Sequence, residues 1–548
     1  MFASANVWPE IKRAESKCLG IDMNRLSVMD ENQLLPRVRN IGLRSKIMAA
    51  EETISLFRDG MYLGFSGFAE GHPKTVPGLL ADHVEKNGLA GRLRFNVFTG
   101  ASIGSDLDNR WSRLRMIDRR WPHQHGETIR LAINEGAVSF GDRHLSMFAQ
   151  DFGYGFYTRE NRGRIDLGII EASCITEDGG IVPTLAIGIV AEIIARADRL
   201  VIEINTKIPS FEGMHDCLGF VAPPDKRPYP ILQVGDRIGS TSIPCDPGKI
   251  VAIVESWKDP VGRPLGPTDD KAGLIAGHII HFLKQEVQSG RLPAELPPLQ
   301  SGVGTIANAV FGGLLHSSFS NLNVWTEVFQ DNLMDLFDAG KLNHVSAASF
   351  SLSQAGLKRL FENWERYTSR TVLRPIQISN HPELIRRLGL IAMNTPIEFD
   401  IYAHVNSTLV NGSRMLNGIG GSGEFMRSAY LSIMHTPSTR PSRNDPHGIS
   451  CVVPMVTHVD HTEHDMDILV TEQGLADLRG LAPKERAQCI IDRCAHPEYK
   501  PLLQEYLDRA TRECLARASG HEPHMLYKVF NMQRHLEEHG TMKVANWD

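Results

Sequence analysis

Residues 417–425 read NGIGGSGEF, placing Gly418, Gly420 and Gly423 at a G-x-G-x-x-G spacing. Backbone N–H groups in such a loop can approach and point at an anion. A dinucleotide fingerprint needs the loop to close the first strand of a βαβ unit, with an acid about 20 residues on at the end of the next strand. Here the acid at that distance, Asp445, falls in the loop TPSTRPSRNDPHG, and the residues before the glycines, HVNSTLVNGSRMLN, are a mixed stretch. The spacing argues against a nicotinamide enzyme. Two readings remain: a tight structural turn, or a cradle for a phosphate or for the oxyanion of a tetrahedral intermediate. In the second, Glu424 and Phe425 open a helix whose positive end adds to the cradle.

A second cluster, HVDHTEHDMD (458–467), packs three histidines and four carboxylates into ten residues. It lacks the H-E-x-x-H spacing of a helical zinc site. Pro454 and the alternating Val452, Val453 and Val456 predict strand and loop before it, so a solvated or hydrogen-bonded structural cluster is expected there and no metal.

The elements that must carry these loops follow one grammar. MYLGFSGF is a short apolar strand breaking into glycines, and KTVPGLLADHVEKNG is a helix ending on Gly88. LRFNVFTGAS, RIDLGIIEAS, RLVIEIN and KIVAIVES are further apolar runs, of the kind a parallel sheet covered on both faces requires. RSKIMAAEETISLFRDG, before the first strand, is expected to be helical. In the second half HVSAASFSL, GLIAMN, EFDIYAHV, SCVVPMV and MDILVTEQG predict strands, and a C-terminal amphipathic helix presents Leu503, Tyr506, Leu507, Ala510 and Cys514 on one face. Proline-dense flanks around LIAGHIIHFLKQEVQSG mark a connection. The expected organisation is an extension (1–41), a first α/β domain (42–256), a connecting segment (257–300) and a second α/β domain (301–548). No internal repeat is defensible from spacing alone.

The 548-residue chain is long enough for two domains with substantial cores. Lys and Arg number 58 against 64 Asp and Glu, a formal charge of -6 without a long basic run, so nucleic acid is not an expected partner. The eight cysteines are scattered with no C-x-x-C, which suits a reducing compartment. No apolar run approaches the roughly 20 residues of a membrane helix. The N-terminus lacks a secretory pattern, and the expectation is a cytoplasmic enzyme.

SGVGTIANAVFGGL (301–314), NVWTEVFQDNLMDLFDAGK (323–341), ISNHPE (378–383), NGIGGSGEF and HVDHTEHDMDILVTEQGLADLRGLAP (458–483) resemble, in this order, the acetyl-CoA hydrolase/transferase family. Within it they are similar in particular to the succinyl-CoA:acetate CoA-transferases, which are class I CoA-transferases. The likeness runs from about residue 42 to 530 through GFSGF, HLSMFAQ, PSFEGMHD and KIVAIVE.

The resemblance implies two tandem open α/β CoA-transferase-like domains with mainly parallel sheets and the active site between them. It implies transfer of CoA between short-chain acids, with succinyl-CoA and acetate as the expected pair. Hydrolysis of acetyl-CoA or a short acyl-CoA at the same site is the alternative, and a non-catalytic CoA-binding protein a more distant one. No cofactor is implied, the CoA thioester being a substrate; the partners are acyl-CoA and a short carboxylic acid, and the assembly a homodimer.

By motif position Glu327 is the nucleophile, attacking the thioester to give an acyl-glutamyl anhydride and then a glutamyl-CoA thioester. From the residues alone, 326–338 read as a helix with Phe329, Leu333, Leu336 and Phe337 on one face, which puts Glu327 in a first turn favouring its charged form; there it could equally be an ordinary helix-start acid. The resemblance makes the backbone amides of Gly421 and Val303 the oxyanion donors. Asn380 becomes a hydrogen-bonding partner of the glutamate, though it could instead cap a helix starting at His381 or Pro382. Glu472, at the carboxyl end of a predicted strand, is expected near the site and in a network with Asn380. Gly418, Gly420, Gly421 and Gly423 would shape the wall that meets CoA. Arg440 would meet CoA phosphates, and Arg263 a substrate carboxylate.

Overall fold

The structure, a computed structural model, describes residues 33–104, 106–262, 266 and 269–547. It contains two eight-stranded sheets, one in each half of the chain. In the first, the strands lie side by side in the order Ser139–Phe140, Ile117–Trp121, Phe95–Phe98, Tyr62–Phe65, Ile165–Ile175, Ala197–Asn205 and Ile250–Ser256, all parallel. Ile181–Pro183 turns back antiparallel onto Ile165–Ile175. In the second the order is Thr371–Leu373, Leu342–Ala347, Leu322–Trp325, Leu299–Ser301, Ile391–Asn394, Leu431–His435 and Ile468–Thr471, again parallel, closed by the antiparallel Gly474–Asp477.

Numbering the parallel strands in chain order within each half, both sheets run 4-3-2-1-5-6-7. Each therefore has a switch point between its first and fifth strands, where an open α/β sheet leaves a crevice at the carboxyl ends. The apolar runs serve this architecture directly. Ile165–Ile175 and Ala197–Asn205 are buried along almost their whole length, as strands covered on both faces must be.

Leu503, Tyr506, Leu507, Ala510 and Cys514 are the buried face of helix Lys500–Leu515, and a further helix, Asn531–His539, follows. Helix Asp270–Gln288 buries Ile275, Ile279 and Leu283 in the same core as Ile306, Val310 and Leu314 of helix Thr305–His316. Before the first sheet, Leu34, Val38 and Leu43 are buried, and Arg37 donates to the carbonyls of Ser173 and Ile208 at 3.0 and 2.8 Å.

Two expectations are corrected. RSKIMAAEETISLFRDG is not one helix but two 3-10 segments, Ile41–Lys46 and Ala50–Leu56. Between them Ile47 bridges Ile253, and the Met48 N–H donates to the Ile253 carbonyl, so pairing with a sheet edge interrupts the helical pattern. EFDIYAHV and SCVVPMV do not enter the large sheet: Glu398–Asp400, Val405–Asn406 and Val452–Val453 form a separate three-stranded sheet. Their apolar content reads the same in either place, because buried runs are alike whichever sheet receives them.

Candidate active site

Glu327 lies just beyond strand Leu322–Trp325, between it and the short strand Val328–Phe329. The helix begins only at Asp331, which corrects the reading of a first-turn glutamate: Glu327 lies before that helix and not in its first turn. The extended chain wins because its neighbours pair on both sides. The Thr326 N–H donates to the Ser346 carbonyl at 2.9 Å, and the Glu327 carbonyl accepts from the amides of Ala348 and Ser349 at 2.8 and 3.1 Å. The Thr326 hydroxyl bonds the Ser301 carbonyl at 3.0 Å, tying this turn to the first strand of the sheet.

The Glu327 carboxyl reaches a deep cavity, and burial pushes it up to about 7, with only the Asn380 hydrogen bond acting the other way. Asn380 is wholly buried. Its Oδ1 accepts from the Ser379 hydroxyl at 2.7 Å, which turns its Nδ2 toward two carboxyls: Glu327 Oε1 at 2.5 Å and Glu424 Oε2 at 2.9 Å. Its side chain caps no helix; His381 occupies the cap position before Pro382–Leu388.

Glu424 reaches from the second half into the first. It accepts from the Ser146 amide at 2.9 Å, the Met147 amide at 3.3 Å and the Ser146 hydroxyl at 2.5 Å, all in the first turn of helix Leu145–Gly153. Burial nonetheless pushes Glu424 up to about 8; the Ser146 and Asn380 bonds oppose the rise and the charge of Glu327 adds to it.

The glycine loop lies directly on this pair. A Cβ on Gly421 would stand 1.7 Å from Glu327 Oε1 and 2.2 Å from Asn380 Nδ2, so only glycine lets backbone meet the carboxyl here. Gly418 and Gly420 adopt φ of +129° and +63°, and between them the Ile419 N–H donates to both oxygens of Asp142 at 3.0 and 2.9 Å. Burial pushes Asp142 up to about 6. The loop is thus held from the first half by Asp142 while its glycines face the cavity.

That cavity, of about 250 Å³, sits where the carboxyl ends of both sheets converge at their switch points. Ala69, Ser102 and His123 line it from the first half, and Val303, Glu327 and Gly421 from the second. Ser102 Oγ lies 2.7 Å from His123 Nδ1. Val303 is 46% exposed. Among the described residues its N–H and that of Gly421 have no hydrogen-bond partner in the protein. The arrangement offers a carboxyl raised by burial and unspent backbone donors lining the same cavity, which is what attack on a thioester carbonyl demands.

Residues 32–255 match the acetyl-CoA hydrolase/transferase N-terminal domain and residues 356–507 the acetyl-CoA hydrolase/transferase C-terminal domain. The chain belongs to the acetyl-CoA hydrolase/transferase family. It is 54% identical to the acetyl-CoA hydrolase of Schizosaccharomyces pombe over 94% of this chain and 99% of that one. It is 55% identical to the acetyl-CoA hydrolase of Saccharomyces cerevisiae, over 94% and 99%. Among solved structures it is similar to RipA from Yersinia pestis, with a TM-score of 0.64 and 21% identity over 85% of this chain and 97% of that one. The 4-hydroxybutyrate CoA-transferase from Porphyromonas gingivalis gives 0.57 and 20% over 85% and 98%. These likenesses show a CoA-transferase-like α/β fold, and the chain is an enzyme of this family.

Not every residue expected at the site of an acetyl-CoA hydrolase/transferase gathers there. Glu472 does follow a strand, but its sheet position is four strands from that of Leu322–Trp325, roughly 19 Å at the usual spacing. It bonds the Ser438 amide and hydroxyl at 2.7 and 2.6 Å and Lys271 at 3.4 Å, not Asn380. Arg440 spends its guanidinium on the carbonyls of Pro396 and Ile397 at 2.8 and 3.3 Å and does not line the cavity. Gly423 packs on His144, which a Cβ would meet at 2.2 Å, instead of on the cavity wall. Arg263 lies outside the described residues.

Sequence reasoning missed Glu424, Asp142 and the Ser102–His123 pair. Glu424 stands at the end of the glycine loop, where the sequence shows only a helix start. The signal for His123 is its place just past RMIDRRW, a charged strand that its polarity disguised. Of the histidine-rich cluster, His461 is buried with Nε2 3.3 Å from Ser422 Oγ, while Asp460 accepts from Ser407 and Thr408. Among the described residues no group of three or more His, Cys, Asp or Glu is arranged to hold a metal, and no helix is long and apolar enough to cross a membrane.

Proposed function

We propose that the chain hydrolyses acetyl-CoA or another short acyl-CoA, with Glu327 as the nucleophile. The observation that carries this reading is the contact of the Glu327 carboxyl with the Gly421 backbone and Asn380 Nδ2 inside a small interdomain cavity. The curated relatives at 54% and 55% identity are named acetyl-CoA hydrolases, which supports hydrolysis as the net outcome.

In the first step a Glu327 oxygen bonds to the thioester carbonyl carbon. The tetrahedral oxyanion is received by the amides of Val303 and Gly421; then the C–S bond breaks, CoA leaves as thiolate, and an acyl-glutamyl anhydride remains. Attack of water on the acyl carbon releases the acid and restores Glu327. The thiolate can instead return to the glutamyl carbon, displacing the acid and leaving a glutamyl-CoA thioester that water also resolves. Asn380 orients the carboxyl throughout, and the glycine loop provides the CoA-facing wall.

A second reading, CoA transfer to an acceptor such as acetate, is favoured by the burial that pushes Glu327 up to about 7, because a water-poor site preserves the intermediate for a carboxylate. One experiment separates the two and tests both. CoA release from acetyl-CoA and succinyl-CoA is followed with and without acetate, alongside intact-protein mass spectrometry after hydroxylamine trapping. Hydrolysis gives CoA release independent of acetate; transfer gives new acyl-CoA in proportion to acetate. A trapped adduct anywhere but Glu327, or turnover surviving in Glu327→Ala, refutes the nucleophile.

A further inference from the structure

Gln377 and His381, which flank Asn380 in the chain, line a second cavity of about 400 Å³ that shares no lining residue with the first. Gln150 and the loop residues Lys226, Arg227 and Tyr229 contribute from the first half, and Gln377 and His381 from the second. Its polar groups are poorly used by the protein itself. Gln377 is 96% buried by area, being 4% exposed, yet among the described residues its side-chain amide has no hydrogen-bond partner. The His381 Nδ1 is buried without a partner as well, its ring held edge-on by Tyr229 at 5.3 Å between centres.

The charges around this cavity are positive. Lys226 Nζ bonds Gln150 Oε1 at 3.0 Å and sits 5.5 Å from the centre of the Tyr154 ring, so its charge is not neutralised by an acid. Arg227 is exposed and forms no ion pair among the described residues. Among the described residues the one acid lining the cavity, Glu383, is taken by Arg387 at 2.5 and 3.1 Å. Glu192, buried nearby with both oxygens unpartnered, is pushed up to about 7 by burial, which weakens its claim on Lys226. Two cations without an ion-pair partner among the described residues, the unspent NH2 of the Gln377 amide and an unspent imidazole nitrogen converge on this cavity, a lining weighted toward donors and positive charge that suits an oxyanion.

We propose that this cavity is a second anion site, distinct from the thioester site, for a small metabolite carrying phosphate or several carboxylates. It is independent of whether Glu327 hydrolyses or transfers. One ligand-bearing group would lie between Lys226 and Arg227 and accept from Gln377, within one helical turn of Asn380, since Ile376–Ser379 is a single short helix.

The test is isothermal titration of the full chain with inorganic phosphate and, separately, with citrate. The expected result is saturable one-site binding of at least one probe, weakened about tenfold in Lys226→Ala and in Arg227→Ala, the loss of one charged hydrogen bond. Gln377→Leu should also weaken it, with circular dichroism confirming that each variant is folded. Phosphate alone binding assigns the phosphate class; citrate alone assigns the polycarboxylate class. Glu327→Ala should bind the probe as the wild type does, so failure of the catalytic reading leaves this result standing. No saturable heat from either probe, or heat unchanged in both charge variants, overturns the site. Competition by CoA for the same probe also overturns it, because the cavity would then be part of the acyl-CoA site.

Discussion

Glu327 and Glu424 accept hydrogen bonds from the same atom, Asn380 Nδ2, at 2.5 and 2.9 Å. One amide thus fixes the distance between the proposed nucleophile and the carboxyl that anchors the first half through Ser146. Asn380→Ala removes the shared donor, and kcat should fall by about 10²-fold from misplacement of the carboxyl. Steady-state kinetics with acetyl-CoA check this, and a loss in KM alone would refute it.

Gly421→Ala is the sharpest geometric test. The new methyl would fall 1.7 Å from Glu327 Oε1, so the carboxyl or the loop must move. Activity should fall by at least about 10²-fold, with far-UV circular dichroism unchanged, because the obstruction lies at the cavity and not in a sheet.

The raised carboxyls set a pH dependence with a definite sign. Attack requires the Glu327 carboxylate, and Glu327 titrates at about 7, so kcat/KM should rise with pH through that value. Glu424 titrates above it, at about 8, and Glu424→Gln should leave this rising limb in place.

Stability should run the opposite way. Both glutamates are raised above their unfolded values, near 4.3, so the folded state holds protons that the unfolded state has lost. Their stabilising contribution is full below about pH 4 and is lost as pH rises through about 7 and 8. Thermal melts of the wild type should therefore decline across this window from these two groups, and Glu424→Gln should flatten the decline. A steeper decline in the variant would contradict the assignment.

The halves are also joined by a buried ion pair beside strand Leu322–Trp325. Arg374 and Asp216 meet at 2.5 Å with side chains 0% and 2% exposed, and Arg374 lies over the Trp325 ring at 5.1 Å. Asp216→Ala should cost about 3–5 kcal/mol, because it strands a buried guanidinium. Chemical denaturation measures this, and the double variant with Arg374→Met should recover part of the loss.

How much of this was legible in the sequence depends on the range of the forces involved. The strands NVFTG and GLIAMN, and the buried face Leu503 to Cys514, were legible because each is local periodicity. The family motifs point to Glu327, Asn380 and Gly421, which meet at one contact. Glu424 was not legible as a link between halves, since its partners Ser146 and Met147 are 278 and 277 residues away. The helical spacing of Phe329, Leu333, Leu336 and Phe337 extends a predicted helix back over Glu327. Pairing of Val328 and Phe329 with Ser349 and Phe350 delays that helix. Glu472 had the right end of a strand and the wrong strand, a distinction that only the lateral order of the sheet supplies.

The repeated strand order has a stoichiometric consequence. In both sheets the second strand is followed by threonine, NVFTG at 96–100 and NVWTE at 323–327, and each threonine amide bonds a carbonyl of the third strand, Trp121 or Ser346. Gly100 therefore stands in the first half where Glu327 stands in the second. A Cβ there would lie 2.7 Å from the Gly67 carbonyl oxygen, so that position has no room for a carboxylate. If Glu327 is the nucleophile proposed above, the paired positions supply one such carboxylate, and a fully trapped preparation should carry one acyl or CoA equivalent per chain and not two.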